Sequence, residues 1–67
     1  MIIETDTQVV REEYIESIER LENYEGDGYE LIFYMTSGNI LTLTGTEEKI
    51  NAIYDKIVKR WSEDGDI

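Results

Sequence analysis

The fold of this chain is decided by the stretch YELIFYMTSGNILTLT, residues 29–44. Its first half is rich in aromatic and β-branched side chains, which is typical of a strand. Both predicted faces of this strand are apolar: Tyr29, Leu31, Phe33 and Met35 on one, Ile32 and Tyr34 on the other. Ser37-Gly38-Asn39 predicts a tight turn centred on Ser37-Gly38 or Gly38-Asn39. Residues 40–44 then form the return strand of a β-hairpin.

A helix is predicted directly after the hairpin. Thr46 is its expected N-cap, and Thr44 is a rival start that would form a capping box with Glu47. From residue 47 to 61 the apolar side chains recur with the spacing of one helical face, as Ile50, Ile53, Tyr54, Ile57, Val58 and Trp61. The predicted dipole partners are Glu47 and Glu48 at its positive end and Lys56, Lys59 and Arg60 near its negative end. The polar residues 62–67 are expected to fray. We therefore expect one domain over residues 1–62 and an acidic flexible tail over residues 63–67.

The segment before the hairpin, residues 8–24, allows two interpretations. At 3.6 residues per turn, one arc of a helix collects the apolar side chains Val10, Tyr14, Ile15, Ile18 and Leu21, with the acids opposite. At period two, the alternation breaks at Ile15, Ser17 and Ile18, so a strand from residue 15 to 24 has mixed faces. Periodicity alone therefore favours a helix and an α-β-β-α order.

Length and composition exclude several classes of protein. The chain has 67 residues, enough for one domain, and contains neither cysteine nor histidine. Disulfides, zinc sites of the usual Cys/His type and His-dependent nucleophiles are therefore excluded. No apolar run approaches the roughly 18 to 20 residues of a membrane span, and the first residues do not resemble a signal peptide. We therefore expect a cytoplasmic protein.

The acidic belt, residues 12–30, is the most highly charged part of the chain. Its eight carboxylates stand against one base, Arg20, so the belt carries −7 of the net charge of −10. Its acids are the candidate partner-binding residues: Glu12, Glu13, Glu16, Glu19, Glu22, Glu25, Asp27 and Glu30. Asp6 is a further candidate. Because nucleic-acid binders need Lys and Arg to displace counterions, a basic partner is expected rather than nucleic acid itself.

Three patterns resemble known sites without completing them. Residues 23–28 (NYEGDG) begin like a calcium loop, but Tyr34 stands at the twelfth position, where a Glu belongs. Residues 42–49 (TLTGTEEK) lack the Gly-Lys-Ser/Thr of a phosphate loop. Glu12 and Glu16 have the composition of a glycosidase pair, but so short a domain has little room for a cleft. We predict no catalytic residue, metal site or cofactor.

Three segments carry a resemblance to known proteins: VVREEYIESIE (9–19), YELIFYMTSGNILTLTG (29–45) and TEEKINAIYDKI (46–57). They resemble a widespread group of short bacterial and phage proteins in which an apolar pair leads into a strand, a hairpin and one helix. The resemblance implies a strand from Ile15 onward, against the helical period. On that basis we expect an α+β fold: a small antiparallel sheet of three or four strands with one C-terminal helix packed on it.

In size and charge the chain also resembles the small acidic proteins with which lytic phages take over host functions. It is similar in character to a Bacillus-phage DNA mimic that occupies the DNA-binding surface of the nucleoid protein HU. The resemblance implies a non-enzymatic inhibitor with an HU-like nucleoid protein as its preferred target.

Two hypotheses of different classes follow. In the first, the belt imitates DNA, and a homodimer formed through the second apolar face of the hairpin doubles its row of anions. In the second, the chain is a small dimeric interaction or ligand-sequestering module, and its acids only keep it soluble. An anionic ligand would then need a basic pocket, for which the candidates are Lys49, Lys56, Lys59 and Arg60.

Overall fold

The computed structural model describes residues 1–22 and 28–64. Its elements are β1 (Ile2–Glu4), β2 (Val9–Arg11), a 3-10 turn (Glu12–Tyr14), β3 (Ile15–Glu22), β4 (Gly28–Met35), β5 (Ile40–Thr46) and α1 (Glu47–Asp64). β3, β4 and β5 form an antiparallel three-stranded sheet in that order, and β1 and β2 form a separate antiparallel pair. The predicted α+β fold, a three-stranded sheet with a C-terminal helix packed on it, is confirmed.

β4 is the central strand, and its two faces differ as the alternation predicts. Leu31 and Phe33 are fully buried on the face that packs against α1, where Ile50 and Ile57 are equally buried. On the opposite, outer face, Ile32 and Tyr34 are only partly buried. The core therefore lies between one face of the sheet and α1.

Four residues, 36–39, join β4 to β5, and Gly38 lies in the left-handed region, at a φ of 96°. The Gly38 amide donates to the Met35 carbonyl at 2.9 Å, and the Met35 amide donates to the Asn39 carbonyl at 2.9 Å. Thr36 and Ser37 are thus the central residues of the turn. The hairpin prediction is confirmed, but both predicted turn centres lie too far along the chain.

Replacing Gly38 with alanine should lower the free energy of unfolding by about 1 kcal/mol, because an L side chain is disfavoured at positive φ. Nothing lies within 4 Å of a Cβ placed there, so a steric clash would not explain the loss. Urea denaturation measures it. Gly38→Asn is the matched variant and should lose less, since Asn tolerates this region better than Ala. Equal stability of Gly38→Ala and the unmutated protein would contradict the turn geometry.

Residues 15–22 form a strand, so the helix favoured by periodicity is wrong and the strand implied by the resemblance is right. The alternation breaks at residues 15 to 18 because the pairing of β3 with β4 shifts register between Ile15 and Ser17. Such a bulge inserts one unpaired residue, here Glu16, and moves the following side chains to the other face. Of the predicted helical arc, only Val10 and Ile15 are buried, while Tyr14 and Leu21 are exposed.

The β1–β2 pair extends the core, and the turn between its strands contacts the edge of the sheet at β5. Its buried Ile3 and Val10 join the core cluster. In the turn that follows β1, the Thr5 hydroxyl donates to the Gln8 carbonyl at 2.8 Å. The next residue, Asp6, reaches β5: its amide donates to the Thr42 carbonyl at 3.0 Å.

α1 begins as the sequence predicts and ends later. The Lys49 amide donates to the Thr46 hydroxyl at 3.2 Å, which confirms Thr46 as the cap. Thr44, the rival, lies within β5. The helix continues through Asp64, so the fraying predicted from residue 62 is wrong for residues 62–64, and the domain limit at residue 62 stays a prediction. Lys59 and Arg60 are predicted to lie near the C-terminal end of the helix. Because the helix continues to Asp64, its last turn contains no basic residue.

Candidate partner-binding surface

Glu12 is a buried acid and does not belong to the exposed surface predicted for it. Only 9% of the residue is accessible. The Arg60 Nε donates to both of its carboxylate oxygens, at 2.9 and 3.0 Å, and the terminal ammonium group of Met1 lies 3.6 Å from Oε1. A buried carboxylate needs such partners because its desolvation is costly. Glu12 therefore forms an ion pair within the fold and is not displayed with the exposed acids, in contrast to the exposed role predicted for it.

The hydrogen bond from Arg60 holds the pKa of the Glu12 carboxyl below its ordinary value of 4.5, against the opposing effect of burial. A lowered pKa stabilises the folded state above that ordinary value, and the contribution disappears as the pH falls through the folded pKa. Glu12→Gln should therefore cost roughly 1 to 2 kcal/mol at pH 7. The difference from the unmutated protein should shrink as the pH falls below 4.5.

Urea denaturation from pH 7 to pH 3 tests this, with the exposed neighbour Glu13 changed to Gln as the matched control. Glu13→Gln should have a small effect, because the Glu13 side chain is exposed. A Glu12→Gln loss that stays constant with pH would show that packing, rather than the ion pair, stabilises this site.

Arg20, the one base of the belt, is turned toward the helix. Its register partner across β4 is Leu31, which places it on the α1 side of the sheet. The guanidinium carbon lies 4.3 Å from the centre of the Tyr54 ring, and Nη1 donates to the Asn51 Oδ1 at 2.6 Å. This positive charge is held against α1 by a cation–π contact and a hydrogen bond, on the same side of the sheet as Glu22.

The exposed acids of β3 lie on both sides of an edge strand. Glu19 pairs in register with Ile32 on the outer face, and Glu22 pairs with Tyr29 on the α1 side. Glu16, at the bulge, and Glu13, in the preceding turn, are also exposed. Acids three residues apart alternate between faces because side chains repeat every second residue in a strand. The acids therefore border the edge of the sheet rather than form a row on one face.

Two tyrosines of β4, Tyr29 and Tyr34, lie close to carboxylates. The Tyr34 hydroxyl donates to the Glu19 Oε1 at 2.7 Å, and this bond raises the tyrosine pKa. Partial burial raises the pKa of Tyr29, and the negative charges of Glu47 and Glu22 add to the effect. Carboxylates therefore surround the sheet on both faces at this edge.

The remaining predicted acids have separate environments. Glu30 is half-buried on the outer face of β4, opposite Leu21 of β3 and Thr44 of β5. The Asp6 carboxylate accepts from the Thr44 amide at 3.1 and 3.2 Å and from its hydroxyl at 2.9 Å, so its oxygens are engaged within the fold. Glu25 and Asp27 lie outside the described residues. Residues 23–27 of the segment that begins like a calcium loop lie outside them as well.

The four cations proposed as one basic pocket are separated. Lys49 and Lys56 border a hollow of about 300 Å³ between β1 and α1, together with Ile53 and the first residues of the chain. Arg60 borders a different hollow, with Glu12 and Trp61. Lys59 borders neither of these two hollows. The single four-cation pocket is therefore corrected to a pair of lysines.

The outer face of the sheet retains exposed apolar surface. Ile40 is 63% exposed, and Ile32 and Tyr34 beside it are partly so. The predicted homodimer would use this face. Sequence reasoning missed the use of Glu12 and Asp6 within the fold, because their partners lie 48 and 38 residues away along the chain.

No family model, curated protein or solved structure matches the chain. Among residues 1–22 and 28–64, no group of three or more acids is placed so as to hold a metal ion. No helix of the described chain has the length and apolar character needed to cross a membrane.

Proposed function

We propose that the chain is a non-enzymatic inhibitor that occupies the DNA-binding surface of a basic DNA-binding protein by imitating DNA. The observation that supports this function best is the exposed acidic edge of β3, whose one base, Arg20, is held against α1. The exposed acids Glu13, Glu16, Glu19 and Glu22 would engage Lys and Arg side chains of the partner, and Glu30 would add to them from the outer face. HU-like nucleoid proteins are the first partner to test, because the chain resembles phage acidic inhibitors in size and charge.

The spacing of the acids constrains the kind of mimicry. At about 3.3 Å per residue, acids three residues apart in β3 lie roughly 10 Å apart along the strand. Duplex DNA carries one charge per roughly 1.7 Å of axis. β3 alone therefore does not reproduce the charge density of DNA. It would compete through ion pairs with individual basic side chains, and a second copy would be needed to extend the row.

A homodimer through Ile32, Tyr34 and Ile40 would provide that second copy. Glu19 and Glu30 lie on the same outer face. Because like charges repel across an interface, a dimer through this face must keep both carboxylates at its rim. Sedimentation equilibrium at two salt concentrations tests the dimer, which should strengthen as salt screens the carboxylates.

The experiment that tests the function is displacement of a labelled DNA duplex from purified HU. The protein should release the duplex at low salt, and its potency should fall as salt rises, since exposed ion pairs are screened over about 8 Å at physiological ionic strength. Failure to release DNA from HU and from other basic nucleoid proteins at low salt would overturn DNA mimicry.

A second candidate function, sequestration of a small anionic ligand, is favoured by the hollow that Lys49 and Lys56 border. Lys49→Gln with Lys56→Gln separates the two functions. The double variant should displace DNA as well as the unmutated protein if the β3 acids act. If the hollow acts instead, the unmutated protein should bind inorganic phosphate in calorimetry and the double variant should not.

A further inference from the structure

The two edges of the three-stranded sheet differ in the described chain. The outer edge of β5 is engaged by Asp6, which bonds to the backbone of both Thr42 and Thr44. β3 is hydrogen-bonded on one side only, to β4, and no strand within residues 1–22 and 28–64 pairs with its other side. A sheet edge with unpaired amides and carbonyls is a template for another strand.

The hydrogen-bond pattern identifies which β3 residues face outward. The Met35 amide bonds to Asn39, so Met35 and every second residue before it in β4 bond to β5. The alternate residues of β4 then bond to β3, where their register partners are Ser17, Glu19 and Leu21. The remaining β3 residues, Ile18, Arg20 and Glu22, direct their amides and carbonyls away from the sheet.

The charges at this edge select the strand that can be added. Glu19 borders it on the outer face, Glu22 on the α1 side, and Glu16 at the bulge. A second copy of β3 would bring three further carboxylates to the same edge, which like-charge repulsion opposes. An extended segment with Lys or Arg at every third position places one cation beside each of these acids.

We infer that the outer edge of β3 accepts an extended basic segment of the partner as a fourth strand. Its backbone bonds to Ile18, Arg20 and Glu22, and its cations pair with Glu16, Glu19 and Glu22. Backbone bonds supply affinity in such strand addition, and alternate side chains supply specificity. The inference rests on the proposed function for the basic character of the partner, and adds the way in which that partner is bound.

The test uses a seven-residue peptide, Lys-Thr-Val-Lys-Thr-Val-Lys, and two versions methylated on backbone nitrogen at positions 3 and 5 or at positions 4 and 6. All three carry the same charge, and the two methylated versions block opposite edges of an extended strand. Affinity is measured by calorimetry on the intact protein at low salt, and amide exchange of Ile18, Arg20 and Glu22 by NMR. Only the peptide changes, so folding of the protein is unaffected.

Strand addition predicts that one methylated peptide binds at least tenfold more weakly than the other, because its methyl groups remove backbone hydrogen bonds. The amides of Ile18, Arg20 and Glu22 should exchange more slowly in the complex. Equal affinity of both methylated peptides would overturn strand addition and leave charge-based mimicry intact. If the protein displaces DNA but does not bind the peptide, strand addition is likewise overturned and charge-based mimicry stays intact. Absence of both peptide binding and DNA displacement would overturn the proposed function as well.

Discussion

Replacing Phe33 with alanine should unfold much of the protein at 25 °C. The ring is fully buried against the core of the sheet and α1. Removal of a buried phenylalanine ring costs about 3 to 5 kcal/mol, through lost burial and the cavity left behind. At roughly 0.05 to 0.15 kcal/mol per residue, a domain of this length has a total stability of only about 3 to 10 kcal/mol. Urea denaturation followed by circular dichroism measures the loss.

Tyr34→Ala is the matched control, since it removes a ring from the next residue of β4 but from the outer face. Its effect should be clearly smaller, because Tyr34 is only partly buried in a single chain. An equal loss that is independent of protein concentration would contradict the assignment of the core to the α1 side. An equal loss that depends on protein concentration would instead show that a second copy covers the outer face.

The hairpin and the helix could be predicted from local sequence because their signals are local. The apolar alternation of β4, the glycine of the turn and the spacing of Ile50 and Ile57 each act within one element. The capping hydrogen bond joins Thr46 to Lys49, only three residues further along the chain. The centre of the turn and the end of α1 differ from the prediction. The extra turn of α1 has no apolar signal in its sequence.

β3 could not be predicted from periodicity, because its bulge breaks the alternation that identifies a strand. One unpaired residue at Glu16 shifts the alternation, so the apolar residues around it acquire spacings that a helix also produces. Only Ile15 of β3 precedes the bulge, so the sequence contains no alternating segment before it that could have indicated a bulged strand. The resemblance gave the correct element because it depends on the order of elements rather than on their period.

The sequence identified the acids of the candidate site but not where each of them lies in the fold. Charge counting identified the belt, but could not separate the buried Glu12 from the exposed Glu13 beside it. That difference depends on Arg60, which only folding brings to Glu12. In the same way, the alternation of a strand distributes Glu19 and Glu22 to opposite faces, where a helix would have placed them together.

Reversing the three β3 acids, as Glu16→Lys, Glu19→Lys and Glu22→Lys together, should strongly weaken displacement of DNA. Each reversal at an exposed pair is worth about 1 kcal/mol, and 1.4 kcal/mol is a factor of ten, so potency should fall roughly 100-fold. The fold should survive, because all three side chains are exposed. Circular dichroism checks the fold, and competition with a labelled duplex bound to HU measures potency.

The matched control reverses three exposed acids elsewhere, as Glu4→Lys, Asp55→Lys and Glu63→Lys. Three acid-to-lysine changes raise the net charge by six, from −10 to −4, in both variants. General charge attraction therefore weakens equally in the two proteins. Only the position of the remaining acids differs between them.

The displacement potency of these two variants, compared in one low-salt buffer, tests most directly whether the acidic edge of β3 is the binding surface. The β3 variant should displace the duplex roughly 100-fold more weakly, while the control variant stays within roughly fivefold of the unmutated protein, since its changes lie on β1 and α1 rather than on β3. Equal losses in the two variants would show that net charge alone is responsible, and would contradict a binding site on β3.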